Sequence, residues 1–116
     1  MLGGGQLGGF FTESALKMGY KVAVWDPSNL APAKRFATFS FNAAFDDIDA
    51  MKNFVKAVDA SSLEWENVPV TLVEKLESEI DMRPGSISLG LAQNRIREKS
   101  FLSKHNFDLA DYRVIH

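Results

Sequence analysis

Gly3, Gly5 and Gly8 stand in G-x-G-x-x-G spacing within the opening stretch MLGGGQLGGF. Such a turn leaves a strand, brings backbone close to a ligand and opens a helix whose free N–H groups face an anion. The spacing suits three uses: a dinucleotide site, another phosphate site, or a tight strand-to-helix turn with no ligand. Asp26 lies 18 residues after Gly8, where a dinucleotide fold keeps the carboxylate that bonds a ribose hydroxyl. It equally starts a turn with Pro27. Glu64 and Glu66, two apart beside a strand, leave the same face and offer acceptors to a ligand's amines or hydroxyls. The alternative is that Glu66 or Asn67 caps the helix near Pro69. Arg95 and Lys99 are like charges at i,i+4 with Glu98 beside them, unfavourable unless an anion or acid sits between them. A solvated charged face is the other reading. His105 and His116 are isolated and offer no metal-ligand spacing. With no cysteine, thiolate sites and disulfides are excluded. No catalytic residue set can be assembled.

These residues need elements to position them. Only Met1 and Leu2 feed the glycine turn, where a strand usually has about five residues, so the first strand reads as truncated and the chain as part of a longer protein. Leu7, Phe11, Ala15 and Met18 recur at helical spacing, with Glu13 and Lys17 paired on the opposite face and Gly19 at the C-terminal end. YKVAVWD and TFSFN read as strands around a turn, PSNLAP, and a short helix over Ala33–Ala37. DDIDAMKNFVKAVD starts acidic and places Ile48, Met51, Val55 and Val58 in helical register. SSLEW reads as a further strand with ENVP as the loop at its end. Pro69 then opens a helix with Leu72, Val73, Leu76 and Ile80 inward. MRPG breaks the chain, a single helix is expected from Ser88 to about Asn106, and DYRVIH reads as the start of a strand.

Alternating strands and helices argue for an α/β domain with a mainly parallel sheet flanked by helices. Ligands of such sheets bind beyond the carboxyl ends of the strands at a switch in strand order. That rule brings the glycine turn, Trp25–Asp26 and EWENVP to one edge. The chain has 116 residues, a formal charge of −2 and 46% hydrophobic residues, the profile of one ordinary globular domain. The charge gives no reason to expect nucleic acid or an anionic membrane as partner. No apolar run reaches the length of a membrane span, and a signal-peptide pattern is lacking, so the cytoplasm is the expected location.

LGGGQLGG, LEWENVP, RPG and AQNRIREKSFL, in this order and spacing, resemble the 5-(carboxyamino)imidazole ribonucleotide synthase family of purine biosynthesis, also known as the ATPase subunit of phosphoribosylaminoimidazole carboxylase. The resemblance implies a Rossmann-like preATP-grasp domain over residues 1–107, with 108–116 starting the connection to an ATP-grasp domain. It implies a ligase that uses ATP, Mg²⁺ and bicarbonate to carboxylate 5-aminoimidazole ribonucleotide through carboxyphosphate. Residues 1–116 are expected to be inactive alone, with Mg²⁺ ligands elsewhere and a homodimer as the assembly allowed for the full-length enzyme. By resemblance Gln6, Leu7, Glu64 and Glu66 bind the ribonucleotide and Arg95 contacts ATP. Gly9 departs from the family, which usually has a basic residue there; Leu63 and Trp65 depart from its aromatic-rich flank. The alternative is a stand-alone Rossmann-like module that holds a dinucleotide through Asp26.

Overall fold

The two-residue segment Met1–Leu2 turns out to be the hinge of the whole sheet. In the computed structural model, which describes residues 1–114, Leu2 forms parallel bridges to Trp25 on one side and Leu63 on the other. Its amide donates to the Ser62 carbonyl at 2.8 Å, while its own carbonyl accepts from the Glu64 amide at 3.3 Å. On the other flank the Trp25 amide donates to the Met1 carbonyl and the Gly3 amide to the Trp25 carbonyl, both at 2.9 Å. Leu2 therefore joins two parallel ladders, β1 (Ala23–Trp25) with β2 (Phe39–Phe41), and β3 (Ala60–Ser61) with β4 (Asp81–Met82). Across the molecule the order is β2, β1, Leu2, β3, β4. Counting Met1–Leu2 as the first strand, this is the reversed-then-forward order of a Rossmann-like fold. The first strand is as short as its sequence predicts, yet Leu2 is fully buried.

Helices cover this sheet: α1 (Gln6–Lys17), α2 (Ile48–Ala57), α3 (Val70–Glu77), α4 (Ser86–Ala92) and α5 (Arg95–Lys104), with a 3₁₀ turn at Pro32–Arg35. Local signals explain most boundaries. Gly19 has φ +89° just past α1, and the Asp47 carboxylate accepts from the Ala50 amide at 2.8 Å to cap α2. The main core packs Leu2, Trp25, Phe54, Leu72, Val73, Leu76 and Met82 together. Trp25 sits among Phe41, Phe45 and Phe54 with ring centroids 5.4–6.4 Å apart, and its indole N–H donates to the Ala43 carbonyl.

Five expectations are corrected. The apolar stripe of α1 does not face the core, because Gly8, Gly9 and Thr12 do. Without side chains the two glycines let the helix lie against Gly3 and Ala33, and a Cβ at Gly8 would sit 2.8 Å from the Gly3 carbonyl oxygen. Leu7, Phe11 and Met18 are thereby turned outward. In α2 the fully buried residue is Phe54, while Ile48 is exposed. The single helix expected from Ser88 is two, because Asn94 leaves the helical region and its side-chain oxygen caps α5 by accepting from the Ile96 and Arg97 amides. Met82, read as the start of the break MRPG, instead joins Asp81 in β4, which pairs with β3. At the chain end, 111–114 form no strand, and 115–116 of DYRVIH, His116 included, lie outside the described residues.

Candidate functional site

The glycine turn leaves the sheet at the point where strand order reverses. Gly3 has φ +87°, a left-handed backbone that favours glycine. The space is equally tight: a Cβ at Gly3 would meet the Trp65 Cβ at 2.9 Å, and one at Gly4 the Ala31 Cβ at 2.6 Å. The Gly4 amide donates to Asp26 Oδ2 and the Ser28 amide to Asp26 Oδ1, each at 2.8 Å. Asp26 thus braces the turn with both oxygens, the arrangement of the turn reading and not of a carboxylate held out for a ribose. Lys34 closes the segment from beneath, donating to the carbonyls of Asp26 (2.6 Å) and Ser28 (2.7 Å) and to Asn42 Oδ1. Desolvation lowers the Lys34 pKa, with the charge of Asp26 opposing that shift.

The turn, Asp26 and the end of the β3 segment enclose a cleft of about 380 Å³ whose lining includes Gly3–Gly5, Ser28, Glu64 and Trp65. The three segments predicted to share one edge do so. Glu64 reaches toward the glycines, and a Cβ at Gly5 would lie 3.4 Å from its Oε2. Gly5 caps α1 with no side-chain hydrogen bond, so the first-turn amides stay available to an anion. Gln6 and Leu7 occupy that first turn and are exposed.

Glu66 lies on the exposed loop beyond Glu64 and does not line the cleft. Neither Glu66 nor Asn67 caps α3, whose N-cap is Pro69 with no side-chain bond. Arg95 opens α5, exposed, and bonds Glu98 at 2.5 Å. That hydrogen bond, then the charges of Glu98 and Glu66, raise the Arg95 pKa further. Lys99 lies over the Tyr112 ring, 5.4 Å from its centroid, so of the two like charges Glu98 pairs with Arg95. Sequence reasoning missed Trp65 as a cleft wall and the Gln93 side chain, which bonds the ENVP loop. The signal for Gln93 was its place in the motif AQNRIREKSFL, two residues before Arg95. Among the described residues no group of three His, Asp or Glu side chains is placed to hold a metal ion, and no helix is long and apolar enough to cross a membrane.

The family model of the ribonucleotide synthetase preATP-grasp domain matches residues 1–93. N5-carboxyaminoimidazole ribonucleotide synthase of Brucella melitensis is 33% identical over 115 residues, covering 99% of this chain and 32% of the relative. The crystal structure of an N5-carboxyaminoimidazole ribonucleotide synthetase in complex with ADP superposes with a TM-score of 0.90 at 35% identity, covering 97% of this chain and 30% of that one. The Aspergillus clavatus synthase in complex with ADP and 5-aminoimidazole ribonucleotide matches with a TM-score of 0.81 at 29% identity, over 95% of this chain and 30% of that one. The chain thus spans about a third of the length of these relatives.

Proposed function

The chain belongs to the ribonucleotide synthetase preATP-grasp family, and from that premise we propose that it is the ribonucleotide-binding part of a ligase. The reaction proposed is the ATP-dependent carboxylation of 5-aminoimidazole ribonucleotide by bicarbonate. The observation that carries this reading is the cleft, in which an uncapped helix N-terminus and the Glu64 carboxylate face one space at the sheet's switch point. A phosphorylated ribose carries an anion for the first and hydroxyl donors for the second. In this reading the first-turn backbone at Gln6 and Leu7 takes the 5′-phosphate, since helix N-termini favour anions. Glu64 accepts from the ribose or the amine, while Glu66, outside the cleft, is given no contact to a ligand held there.

Arg95 is proposed to contact ATP, exchanging its bond to Glu98 for one to phosphate. Mg²⁺, when bound with ATP, neutralises charge on the transferring phosphoryl group. The described residues hold no cluster to ligate it, so no step is assigned to this chain through the metal. What these residues do is bind and orient the ribonucleotide, leaving its exocyclic amine to meet activated bicarbonate.

Calorimetry on the chain tests the reading. Saturable binding of 5-aminoimidazole ribonucleotide is expected, weakened about ten-fold or more by Glu64→Gln through loss of a charge-assisted hydrogen bond. Saturable NAD binding in its place would return the domain to the dinucleotide class.

A further inference from the structure

Glu64 and Glu66 sit on a loop whose own ties are weak. Its bond to the first strand, Glu64 amide to Leu2 carbonyl, and its internal bond, Val68 amide to Trp65 carbonyl, are both 3.3 Å. The carbonyls of Glu66 and Val68 precede α3, whose first intrahelical acceptor is Pro69, so the helix does not satisfy them. One side chain does. Gln93, at the C-terminal cap of α4, donates from Nε2 to the Glu66 carbonyl at 2.6 Å and the Val68 carbonyl at 2.7 Å. Val68 is fully buried, where an unpaired carbonyl is costly. The neighbouring Asn94 caps α5, the helix that begins with Arg95. Two adjacent side-chain amides therefore grip the carboxylate loop and start the arginine helix.

We propose that Gln93 is a positioning residue for ribonucleotide binding. Its donor pair fixes the backbone from Glu66 to Val68, sets where the carboxylates point, and ties that loop to the junction from which Arg95 projects. The inference rests on the proposed function for its ligand, though not for the contact itself. It makes a chemical demand that a packing role does not. Gln93→Glu keeps the shape but turns a donor into an acceptor facing two carbonyls. Gln93→Lys changes the shape but keeps N–H donors that reach the same oxygens.

The test uses NMR on the chain and its Gln93→Glu, Gln93→Ala and Gln93→Lys variants. It reads amide exchange at Glu64 and Val68 without ligand, and the Kd for 5-aminoimidazole ribonucleotide by titration. The Glu and Ala variants should exchange about ten-fold faster at those two amides and bind about ten-fold more weakly, the effect of losing one part-buried and one exposed hydrogen bond together. Amides of α1 should be unmoved, and Gln93→Lys should restore both readouts. A Gln93→Glu variant that behaves like the unaltered chain overturns the proposal, as does faster exchange with an unchanged Kd. If the unaltered chain binds no ribonucleotide, the proposed function fails and the positioning role with it. The exchange data still report the tether, so the two failures are told apart.

Discussion

The two ends of the sheet solve the same problem in opposite ways. At the carboxyl end the strands stop at a smaller cleft, about 380 Å³, whose polar atoms come from the glycine turn, Asp26, Ser28 and Glu64. There Asp26 ties the Gly4 and Ser28 amides and Gln93 ties the Glu66 and Val68 carbonyls. At the amino end lies a larger groove, about 870 Å³, whose walls include Phe11, Met18, Tyr20 and Phe39, all exposed. There the Met1 amine is buried against the Ala23 carbonyl, and the Ser61 hydroxyl has no partner among the described residues. Backbone geometry at the first end is held by hydrogen bonds in advance of any ligand. The second end carries exposed apolar side chains, a buried amine bonded to one carbonyl, and a hydroxyl with no partner among the described residues. Pre-organisation of this kind belongs where a polar ligand must be oriented; the amino end should be where stability is most easily shifted.

The largest expected effect is electrostatic and belongs to the amino end. Burial pushes the Met1 amine of this chain from its ordinary value of 8.0 down to about 5. Between those values the unfolded chain binds a proton that the folded chain refuses, so stability is full above pH 8 and falls as pH drops toward 5. The total loss is about 4 kcal/mol, a large part of a small domain's stability. Denaturant unfolding of residues 1–116 from pH 5 to 9 should show that slope, and fusing residues ahead of Met1 should flatten it. A level profile in the unfused chain would mean that the amine is solvated, and the contrast between the two ends would lose its strongest support.

Next in size comes a pair of glycines with nearly the same φ. Gly3 and Gly19 have φ of +87° and +89°. A Cβ at Gly19 meets nothing within 4 Å, whereas one at Gly3 runs into Trp65 at 2.9 Å. Gly19→Ala should therefore cost only the left-handed strain, about 1 kcal/mol. Gly3→Ala adds overpacking and should cost about 3 kcal/mol. It should also displace the Glu64–Trp65 segment and abolish ribonucleotide binding. Equal losses from thermal unfolding of the two variants would show that the cleft wall yields, and that the carboxyl end is less rigid than its hydrogen bonds imply.

Much of this was legible in the sequence because it rests on local chemistry. The glycine spacing, the Asp47 cap, the Leu72–Val73–Leu76 face and the edge shared by three motifs each follow from periodicity or turn preference. The motif run from LGGGQLGG to AQNRIREKSFL carried the family. What was not legible depends on partners far apart in the chain. The stripe of Leu7, Phe11 and Met18 is a good amphipathic signal, and it points outward because Gly8 and Gly9 give the closer approach. The turn at Asp26–Pro27 was legible, but that its carboxylate would reach back 22 residues to the Gly4 amide was not. The two residues of β4 are too few for a pattern, and only pairing with Ala60–Ser61 makes them a strand. Gln93 gives no sign that its amide reaches Glu66, 27 residues earlier.

The smallest effect tests the amino end on its own terms. Ser61 lies in β3, 7% exposed, on the wall of the apolar groove. Its carbonyl accepts from the Arg83 amide at 3.0 Å, whereas the Oγ atom is left without a partner among the described residues. A buried hydroxyl in that condition has lost its water without gaining a bond, and removing it relieves the penalty. Ser61→Ala keeps the backbone bond and deletes one atom, so it should stabilise the chain by about 1 kcal/mol. Ser62 is half-buried beside it, and its carbonyl bonds Leu2 through backbone alone. Ser62→Ala should then be neutral within about 0.5 kcal/mol. Urea midpoints of the two variants decide the matter. A destabilised Ser61→Ala would mean that the hydroxyl is bonded in solution, and that the groove at the amino end is wetter and better satisfied than its apolar walls suggest.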